Sequence, residues 1–367
     1  MQQLNMFFND TDALEEKEDY RQINVMRYMG NKNKLLKFIV PKIIEETKKG
    51  EIIFDLMAGT HSISYALKER NQIFSNDILS SSYIIGKALI ENNNELNYQE
   101  IEKVLKEGYE DNIHNKYYNF FEKYYSDTYF SYYQCVDIDS IRYAIDKIKG
   151  NGFKKDICLT ALIYAMCYAQ STPGHFAQFM PKTHPRIKKL RKLNIWDAFI
   201  KKLYELITTI YISNYKNKVF NLDYREFFNN DIYKKLISSV KLFYIDPPYT
   251  GEQYSRFYHI LETVVKYDHP ILSHKGLYRN NRIMSNFSYR PKVFAEFKYL
   301  IRNISNIKKS KAAISYSNKG LISIEELTQI CNMYFNSVNV EKKIYPHSTQ
   351  GKGNINNIIE YLIICKN

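Results

Sequence analysis

A strand, a tight turn, a helix and a second strand follow one another between residues 51 and 78, and this order constrains the fold more than any other feature. The segment EIIFDLMAGTHSISYALKER (51–70) begins with the apolar run IIF, turns at MAGT and continues with helical periodicity, for which Ser62 is the expected N-cap. QIFSNDI (72–78) supplies the second strand. Two strands joined through a helix pair in parallel, so the chain predicts an α/β fold with a parallel sheet.

Further strand signals lie far along the chain. They are KVFN (218–221), KLFYI (241–245), KAAISYS (311–317) and IIEYLIICK (358–366), the last expected as an edge strand of a hairpin. Residues 83–215 show helical apolar spacing instead, interrupted at Ser171-Thr172-Pro173-Gly174. We therefore predict a Rossmann-like sheet interrupted by a largely helical insertion. The expected boundaries are an acidic flexible arm over 1–22, the sheet domain over 23–90 and 216–367, and the insertion over 91–215.

The charge distribution favours a polyanionic partner. The formal net charge is +13, with twelve Lys/Arg against three acids in residues 151–220 and ten against one in residues 271–311. Two solvated helical faces would give the same counts. No C-x-x-C pair occurs among the five cysteines, so neither a zinc site nor a redox motif is expected. The apolar stretches are too short for a membrane span, and a reducing cytoplasm fits the composition.

The turn FDLMAGT has the form of a ligand-binding turn. A strand that leads through small residues into a helix presents backbone N–H groups to a ligand, and Asp55, Ala58 and Gly59 are the expected contact positions. Asp77 ends the next strand 18 residues after Gly59, which suits an acid that accepts hydrogen bonds from ribose hydroxyls and rejects a 2′-phosphate. An ordinary Asx turn at the strand end is the structural alternative for Asp77.

The second chemical motif is Asp246-Pro247-Pro248-Tyr249, directly after the strand KLFYI. Two prolines cannot continue a central strand, so they fix a stiff turn at the carboxyl end, where open α/β sheets bind ligands. The Asp246 carboxylate and the carbonyls of Asp246 and Pro247 offer acceptors, and Tyr249 offers a flat ring. This combination is suited to a planar group that carries an exocyclic amine, which the acceptors would hold with its lone pair ready to attack an electrophile.

Five stretches together resemble the site-specific DNA N6-adenine methyltransferases, in the arrangement where the cofactor motif precedes the catalytic one. They are RYMGNKNKLL (27–36), FDLMAGTHSIS (54–64), SNDI (75–78), YIDPPY (244–249) and, more weakly, ISYSNKG (314–320). The resemblance covers both ends of the chain and not its middle. It implies S-adenosylmethionine as methyl donor and no metal.

The resemblance also assigns roles to residues. Tyr28 and Lys32 would close over the cofactor, Asp55 to Gly59 would hold its methionine part, and Asp77 would take the ribose. Asp246 would lie between cofactor and target amine as a catalytic residue with Pro247 and Tyr249, and Asp223 is the candidate for a further contact to cofactor or base. The family usually shows a second glycine where this chain has His61, which we expect to widen the turn or to face solvent.

A DNA substrate would require the enzyme to flip its adenine out of the duplex, at a cost of roughly a few kcal/mol that backbone contacts offset. The expected DNA-binding residues are Arg186, Lys188, Lys189, Arg191, Arg279, Arg282 and Arg290, with the helical insertion as the target-recognition domain. A lid without sequence reading is the alternative for that insertion. Arg256 is expected to touch a phosphate or to pair with Glu262 or Asp268.

Three other functions remain open. An RNA adenine methyltransferase would share the cofactor and the amine site. A cytosine-N4 methyltransferase normally has Ser or Thr in place of Asp246. A DNA-binding relic without activity would be expected to have lost Asp77, Asp246 or Tyr249, all of which are present. A companion restriction endonuclease is an expected partner of a site-specific DNA methylase.

Overall fold

A computed structural model describes residues 20–23, 30–346 and 357–367. Most of the expected acidic arm therefore lies outside the described residues. The strands are β1 (Ile52–Asp55), β2 (Gln72–Asn76), β3 (Lys218–Phe220), β4 (Val240–Ile245), β5 (Leu272–Ser273), β6 (Tyr278–Arg279), β7 (Lys311–Ser317), β8 (Ser337–Pro346) and β9 (Asn357–Lys366).

Seven of these strands form one mostly parallel sheet in the order β3-β2-β1-β4-β7-β9-β8. Strands β3, β2, β1, β4 and β7 pair in parallel, whereas β9 runs antiparallel to both β7 and β8. Strands β5 and β6 form a separate antiparallel hairpin. The predicted parallel α/β sheet is confirmed, and its central strands β2, β1 and β4 all end at one edge.

The helices cover both faces of the sheet and fill the stretch between β2 and β3. They are α1 (Leu36–Glu46), α2 (Ser62–Leu67), α3 (Ser80–Gly86), α4 (Tyr98–Asn115), α5 (Phe120–Tyr125), α6 (Tyr132–Lys147), α7 (Gly152–Ala169), α8 (Pro185–Leu190), α9 (Ile195–Thr209), α10 (Glu226–Asn229), α11 (Lys234–Ser238), α12 (Tyr254–Phe257), α13 (His259–Lys266), α14 (Arg290–Ser305) and α15 (Ile324–Asn332).

The helices between β2 and β3 begin at local sequence signals. Side chains of Asn97, Asn151 and Asn194 cap the N-termini of α4, α7 and α9, and Ser131 forms a capping box with Gln134 on α6. Each cap satisfies a backbone N–H that has no partner inside its helix. The helical character predicted for this part of the chain therefore follows from caps as well as from apolar spacing.

This helical part does not have a hydrophobic core of its own. Residues such as Leu105 of α4 and Ile163 of α7 belong to the same buried cluster as Ile53 and Ile73 of the sheet. The Arg142 guanidinium of α6 also donates 2.8 Å to the Val264 carbonyl of α13. The helices are thus packed continuously against one face of the sheet, and the boundaries at residues 91 and 215 stay a prediction.

Two sequence expectations about elements are wrong. Strand β9 is not an edge strand, because β8 pairs with it along its whole length and takes the edge position. Ser62 is the first helical residue of α2 and not its N-cap, which is His61, and the Ser62 hydroxyl donates 3.0 Å to Asn31 Oδ1 instead.

His61 neither faces solvent nor widens the turn. It adopts the left-handed conformation, with φ of 59°, that a glycine would take at no steric cost, and its ring is fully buried. Nδ1 lies 2.7 Å from Ser75 Oγ and Nε2 lies 2.8 Å from the Ser82 carbonyl. Burial lowers the pKa of His61 to about 4, so the neutral ring links β2 to α3.

The His61 ring fits because residue 86 has no side chain. A Cβ on Gly86 would lie 2.5 Å from His61 Cε1 and 2.7 Å from Val219 Cγ1. Contacts this short force a shift of the ring or of the helix, so Gly86 and His61 depend on each other for their packing.

We predict that Gly86→Ala lowers the free energy of unfolding by up to about 2 kcal/mol, because an overpacking cost of roughly 1–3 kcal/mol exceeds the roughly 1 kcal/mol by which alanine favours a helix. Urea denaturation measures the change. Gly152→Ala is the matched control, since a Cβ at the start of α7 meets no atom within 4 Å. Equal stability of the two variants would contradict this packing of His61.

Candidate active site

A cleft opens at the carboxyl edge of β2, β1 and β4. The predicted site residues that line it are Lys32, Asp55, Ala58, Gly59, Asp77, Asp223, Asp246, Pro247 and Tyr249. Because β1 lies between β2 and β4 in the sheet, the residues that follow these three strands meet in space although they are nearly 200 positions apart in sequence. Tyr28 lies outside the described residues.

Asp55 ends β1 at the floor of the cleft. Its Oδ2 accepts a 2.7 Å hydrogen bond from the Ser64 hydroxyl, whereas its buried Oδ1 has no hydrogen-bond partner among the described residues. Burial raises the pKa of Asp55 to about 7, and the carboxylates of Asp246 and Asp77 add to the rise. A buried acceptor without a partner, aimed at a cleft, is suited to a ligand that donates a hydrogen bond.

Asp77 forms the Asx turn that was its structural alternative, and its expected contact with a ribose stays a prediction. Its Oδ1 accepts from the Leu79 N–H at 2.9 Å, which is an Asx turn, and its Oδ2 accepts from the Gly59 N–H at 2.8 Å. The second bond ties the end of β2 to the glycine turn, where Gly59 has φ of 53°. Burial raises the pKa of Asp77 to about 6. Asp223 is exposed at the rim, and its Oδ1 accepts from the Arg225 N–H.

Lys32 and Asp246 form a buried ion pair at the centre of the cleft. Lys32 Nζ lies 2.8 Å from Asp246 Oδ1, with 5% and 16% of the two side chains exposed. Nζ also donates 3.2 Å to the Gly30 carbonyl and lies 3.4 Å from Tyr249 Oη. Burial opposes the charge of Lys32, but the Asp246 carboxylate, with Tyr249, raises the pKa of Lys32 well above its ordinary value.

Tyr249 is held from several sides. Its ring stands at 71° to Tyr316 at a centroid distance of 5.8 Å, and its carbonyl accepts from the Leu321 N–H at 2.9 Å. Lys32 Nζ lies 5.2 Å from the ring centroid. The stretch ISYSNKG (314–320) covers the end of β7 and the start of the loop after it. Tyr316 in this stretch and Leu321 directly after it therefore contact the tyrosine of the Asp-Pro-Pro-Tyr motif.

Several residues that the sequence analysis did not assign to the site also shape it. Gln253 exchanges two hydrogen bonds with the backbone of Ser285, of 2.8 and 3.0 Å, and both residues line the cleft. Ser255 lines it with a buried hydroxyl that has no partner among the described residues. Glu262 accepts from the backbone N–H groups of Ser80 and Ser81. Gln253, Ser255 and Glu262 follow the Asp-Pro-Pro-Tyr motif closely in sequence, which was an available signal, whereas Ser285 lies far along the chain and carried none.

The predicted DNA-binding residues of the first basic block differ in exposure. Arg186, Lys188 and Lys189 are exposed on α8. Arg191 instead donates to the Asp127 carboxylate at 3.0 Å and to the Asp127 carbonyl at 2.9 Å. Arg191 thus joins α8 to the turn before α6, and its contact with DNA stays a prediction beside this structural role.

The second basic block divides in the same way. Arg279 is 3% exposed and forms two hydrogen bonds with Asp268, of 2.6 and 2.7 Å, which lower the pKa of that carboxyl. The guanidinium of Arg279 is thus held by Asp268, and its expected contact with DNA stays a prediction. Arg282 lies over the Tyr278 ring at 4.8 Å, and Arg290 is exposed at the start of α14.

Arg256 pairs with neither of its expected partners. Its guanidinium lies 3.5 Å from Glu252 and reaches the Tyr278 hydroxyl.

Within the part of the chain that the structure describes, no group of three or more His, Cys, Asp or Glu side chains could hold a metal ion. In the same part, no helix has both the length and the apolar character needed to cross a membrane.

We predict that Arg279→Met lowers the free energy of unfolding by about 2–3 kcal/mol. The value lies below the roughly 3–5 kcal/mol of a fully buried pair because Asp268 is 40% exposed and water can solvate it. Chemical denaturation checks this, with Arg290→Ala as an exposed control that should change stability by at most about 0.5 kcal/mol. An unchanged stability together with weaker DNA binding would instead restore Arg279 to the DNA surface.

The comparisons with known proteins agree with this geometry. The family model of D12 class N6 adenine-specific DNA methyltransferases matches residues 28–330. Modification methylase StsI of Streptococcus sanguinis is 29% identical over 350 residues, which cover 90% of this chain and 50% of that protein. Type II methyltransferase M.FokI of Planomicrobium okeanokoites is 29% identical over 329 residues, 83% of this chain and 46% of that protein.

The chain thus spans about half the length of these curated relatives. It spans nearly the whole of another, type II methyltransferase M2.HphI of Haemophilus parahaemolyticus, which is 25% identical over 367 residues, 95% of this chain and 98% of that protein. The family model reaches from the segment before Lys32 past the loop that contacts Tyr249, so it includes every element that lines the cleft. The chain belongs to the D12 class of N6 adenine-specific DNA methyltransferases.

Proposed function

We propose that this chain transfers a methyl group from S-adenosylmethionine to the exocyclic N6 amine of an adenine flipped out of a specific sequence in double-stranded DNA. The observation that carries the proposal is the cleft itself, which combines the Lys32–Asp246 ion pair and Tyr249 with the acidic, glycine-containing edge of β1 and β2. In reaction class, the chain would be an adenine-specific, site-specific DNA methyltransferase.

The residues at the ends of β1 and β2 are suited to S-adenosylmethionine. Asp55 Oδ1 is a buried acceptor that the ammonium of the methionine part can satisfy, and Asp77 can accept from the ribose hydroxyls with its remaining lone pairs. Ala58 and Gly59 supply the close backbone approach, while Asp223, Lys32 and Tyr28 would complete the enclosure. When bound, this cofactor supplies a methyl group on a positively charged sulfur, so no metal is required.

The catalytic turn is suited to an adenine. Asp246 and the Pro247 carbonyl would accept the two hydrogens of the amine, and the Tyr249 ring would stack on the base. Burial raises the pKa of Asp246, and the Lys32 ammonium opposes that rise. Lys32 also holds one carboxylate oxygen in place, so that the carboxylate needs little reorganisation when the amine arrives. An aspartate at this position favours an amine with two hydrogens to donate and a nitrogen that becomes positively charged.

Five basic side chains of the two blocks, four of them exposed and Arg282 half-buried, would contact the DNA backbone. We assign Arg186, Lys188, Lys189, Arg282 and Arg290 to phosphates and the helical insertion over 91–215 to target recognition. Two relatives are named a modification methylase and a type II methyltransferase, so we extend the proposal to a restriction–modification system. In such a system a companion endonuclease cuts unmethylated sites. The chain would act in the bacterial cytoplasm.

The direct test uses the purified chain with isotope-labelled S-adenosylmethionine, duplex DNA, and RNA of the same sequence. Nucleoside analysis by mass spectrometry should find N6-methyladenine in the duplex alone. N4-methylcytosine, or label in RNA and not in DNA, would contradict the proposed substrate.

We predict that Asp246→Asn and Tyr249→Ala each lower single-turnover methyl transfer by at least about a hundredfold, because each removes a group that touches the amine or the base. Asp246→Asn should also lower the unfolding midpoint, because it leaves the buried Lys32 without its carboxylate. Activity is therefore compared at a temperature at which both variants remain folded, and DNA affinity should change little there. Asp231→Asn serves as an exposed control, because Asp231 does not line the cleft and forms a surface ion pair with Lys234. Normal turnover in either cleft variant would remove that residue from the site.

The pKa of about 7 at Asp55 predicts that cofactor affinity depends on pH. A cationic ligand group beside Asp55 favours the ionised carboxyl, so binding should release a proton and should weaken as the pH falls from about 8 to 6. Calorimetry in two buffers of different ionisation enthalpy measures the proton release. Asp55→Asn should abolish this pH dependence. A dependence that survives the substitution would assign the proton to another group.

A further inference from the structure

Two apolar side chains stand exposed at the mouth of the cleft. Ile283 and Met284 are 38% and 63% exposed, yet both line the same cleft as Asp246 and Tyr249. Single exposed apolar residues are common on proteins, but two adjacent ones at the rim of a ligand site indicate a surface that something else covers.

The segment that carries this pair is fixed at both ends. On one side, the Arg282 guanidinium lies over the Tyr278 ring and Arg282 Nε donates 3.2 Å to the Arg279 carbonyl. On the other side, Ser285 exchanges its two backbone hydrogen bonds with Gln253, four residues after Tyr249. Ile283 and Met284 are therefore held at a set distance from the catalytic turn, and a rigid position is what a side chain needs to displace a base.

The surroundings of the pair are basic. Arg282 precedes it directly, and Arg290 and Lys292 follow within eight residues, while Glu296 is buried and pairs with Arg225. Apolar tips between arginines are complementary to a duplex, because the arginines meet phosphates and the apolar tips meet the base stack. Proteins that open or kink DNA insert Met, Ile, Leu or Phe in this manner.

We propose that Met284, supported by Ile283, is the wedge that enters the duplex beside the target adenine and occupies the space from which the base is extruded. This inference rests on the proposed function, because only a base-flipping enzyme requires a wedge. Met284 acts as a positioning residue. It stabilises the opened duplex and does not touch the reacting amine. A side chain that merely covered bound cofactor would line the same cleft, and the experiment below separates the two roles.

The test compares Met284→Ala with wild type in single-turnover methylation of two duplexes that carry the chain's own methylation motif. In one, the target adenine is paired normally. In the other, it faces an abasic site, so that little stacking and no pairing must be broken. Met333→Ala is the matched control, because Met333 is similarly exposed, at 57%, and does not line the cleft. Met284→Leu tests whether apolar bulk is sufficient.

We expect Met284→Ala to be at least about tenfold slower on the paired duplex and within about threefold of wild type on the abasic duplex, since a wedge contributes part of a flipping cost of roughly a few kcal/mol. Met284→Leu and Met333→Ala should behave like wild type, and the dissociation constant of S-adenosylmethionine should not change. Equal slowing on both duplexes with weaker cofactor binding would show that Met284 covers the cofactor. Full activity on the paired duplex would also overturn the wedge.

The activity of the wild-type chain on the two duplexes distinguishes a failure of the wedge from a failure of the proposed function. If wild type methylates adenine in the paired duplex, any failure of Met284→Ala to slow that reaction concerns the wedge alone. If wild type methylates neither duplex, the proposed function fails, and the wedge fails with it.

Discussion

The ion pair between Lys32 and Asp246 is the interaction on which the site depends. Burying a charged lysine is costly, and the 2.8 Å contact with Asp246 is what makes that charge tolerable so close to the core. The pair joins the segment before α1 to the turn after β4, two parts of the chain more than 200 residues apart in sequence. Because of this connection, residues of both segments line the cleft.

The sheet supplies the second constraint. Strands β2, β1 and β4 are adjacent and parallel, so the acids at their carboxyl ends lie together at one edge of the sheet. These acids are Asp77, Asp55 and Asp246. Carboxylates at this density repel one another, and burial together with this repulsion raises the pKa of Asp55 to about 7. A ligand with positive charge would relieve the repulsion, which is why the proposed cofactor, with its cationic sulfur, suits this edge.

The parts of this arrangement that follow from short-range patterns were predictable from the sequence. Apolar runs ended by acids or prolines indicated β1, β2 and β4, and the parallel sheet then placed Asp55, Asp77 and Asp246 together. Strand β8 was missed because SVNVEKKIYP alternates charged and apolar residues weakly, as an edge strand with a solvated face does. The missing strand is also why β9 was expected at the edge.

Side-chain pairing across long distances was not predictable. Arg279 and Arg191 occur in basic blocks, and nothing in a one-dimensional pattern shows that Asp268 and Asp127 take their guanidinium groups. His61 was equally obscure, because its burial depends on Gly86, which is 25 residues away and lies on another helix. Basic composition thus indicated a polyanionic partner, which the proposed function takes to be DNA, but it could not separate arginines held in ion pairs from those available to that partner.

The most direct measurement is made in a bacterial host that lacks DNA methylation of its own. The chain is expressed there, and the genomic DNA is sequenced by a method that reads modified bases, with the Asp246→Asn chain in parallel. N6-methyladenine at one recurring short motif, present with wild type and lost with the variant, is the predicted result. Genomic DNA that carries no methyladenine, or the same methylation with both chains, would contradict the assignment of this cleft to adenine methylation.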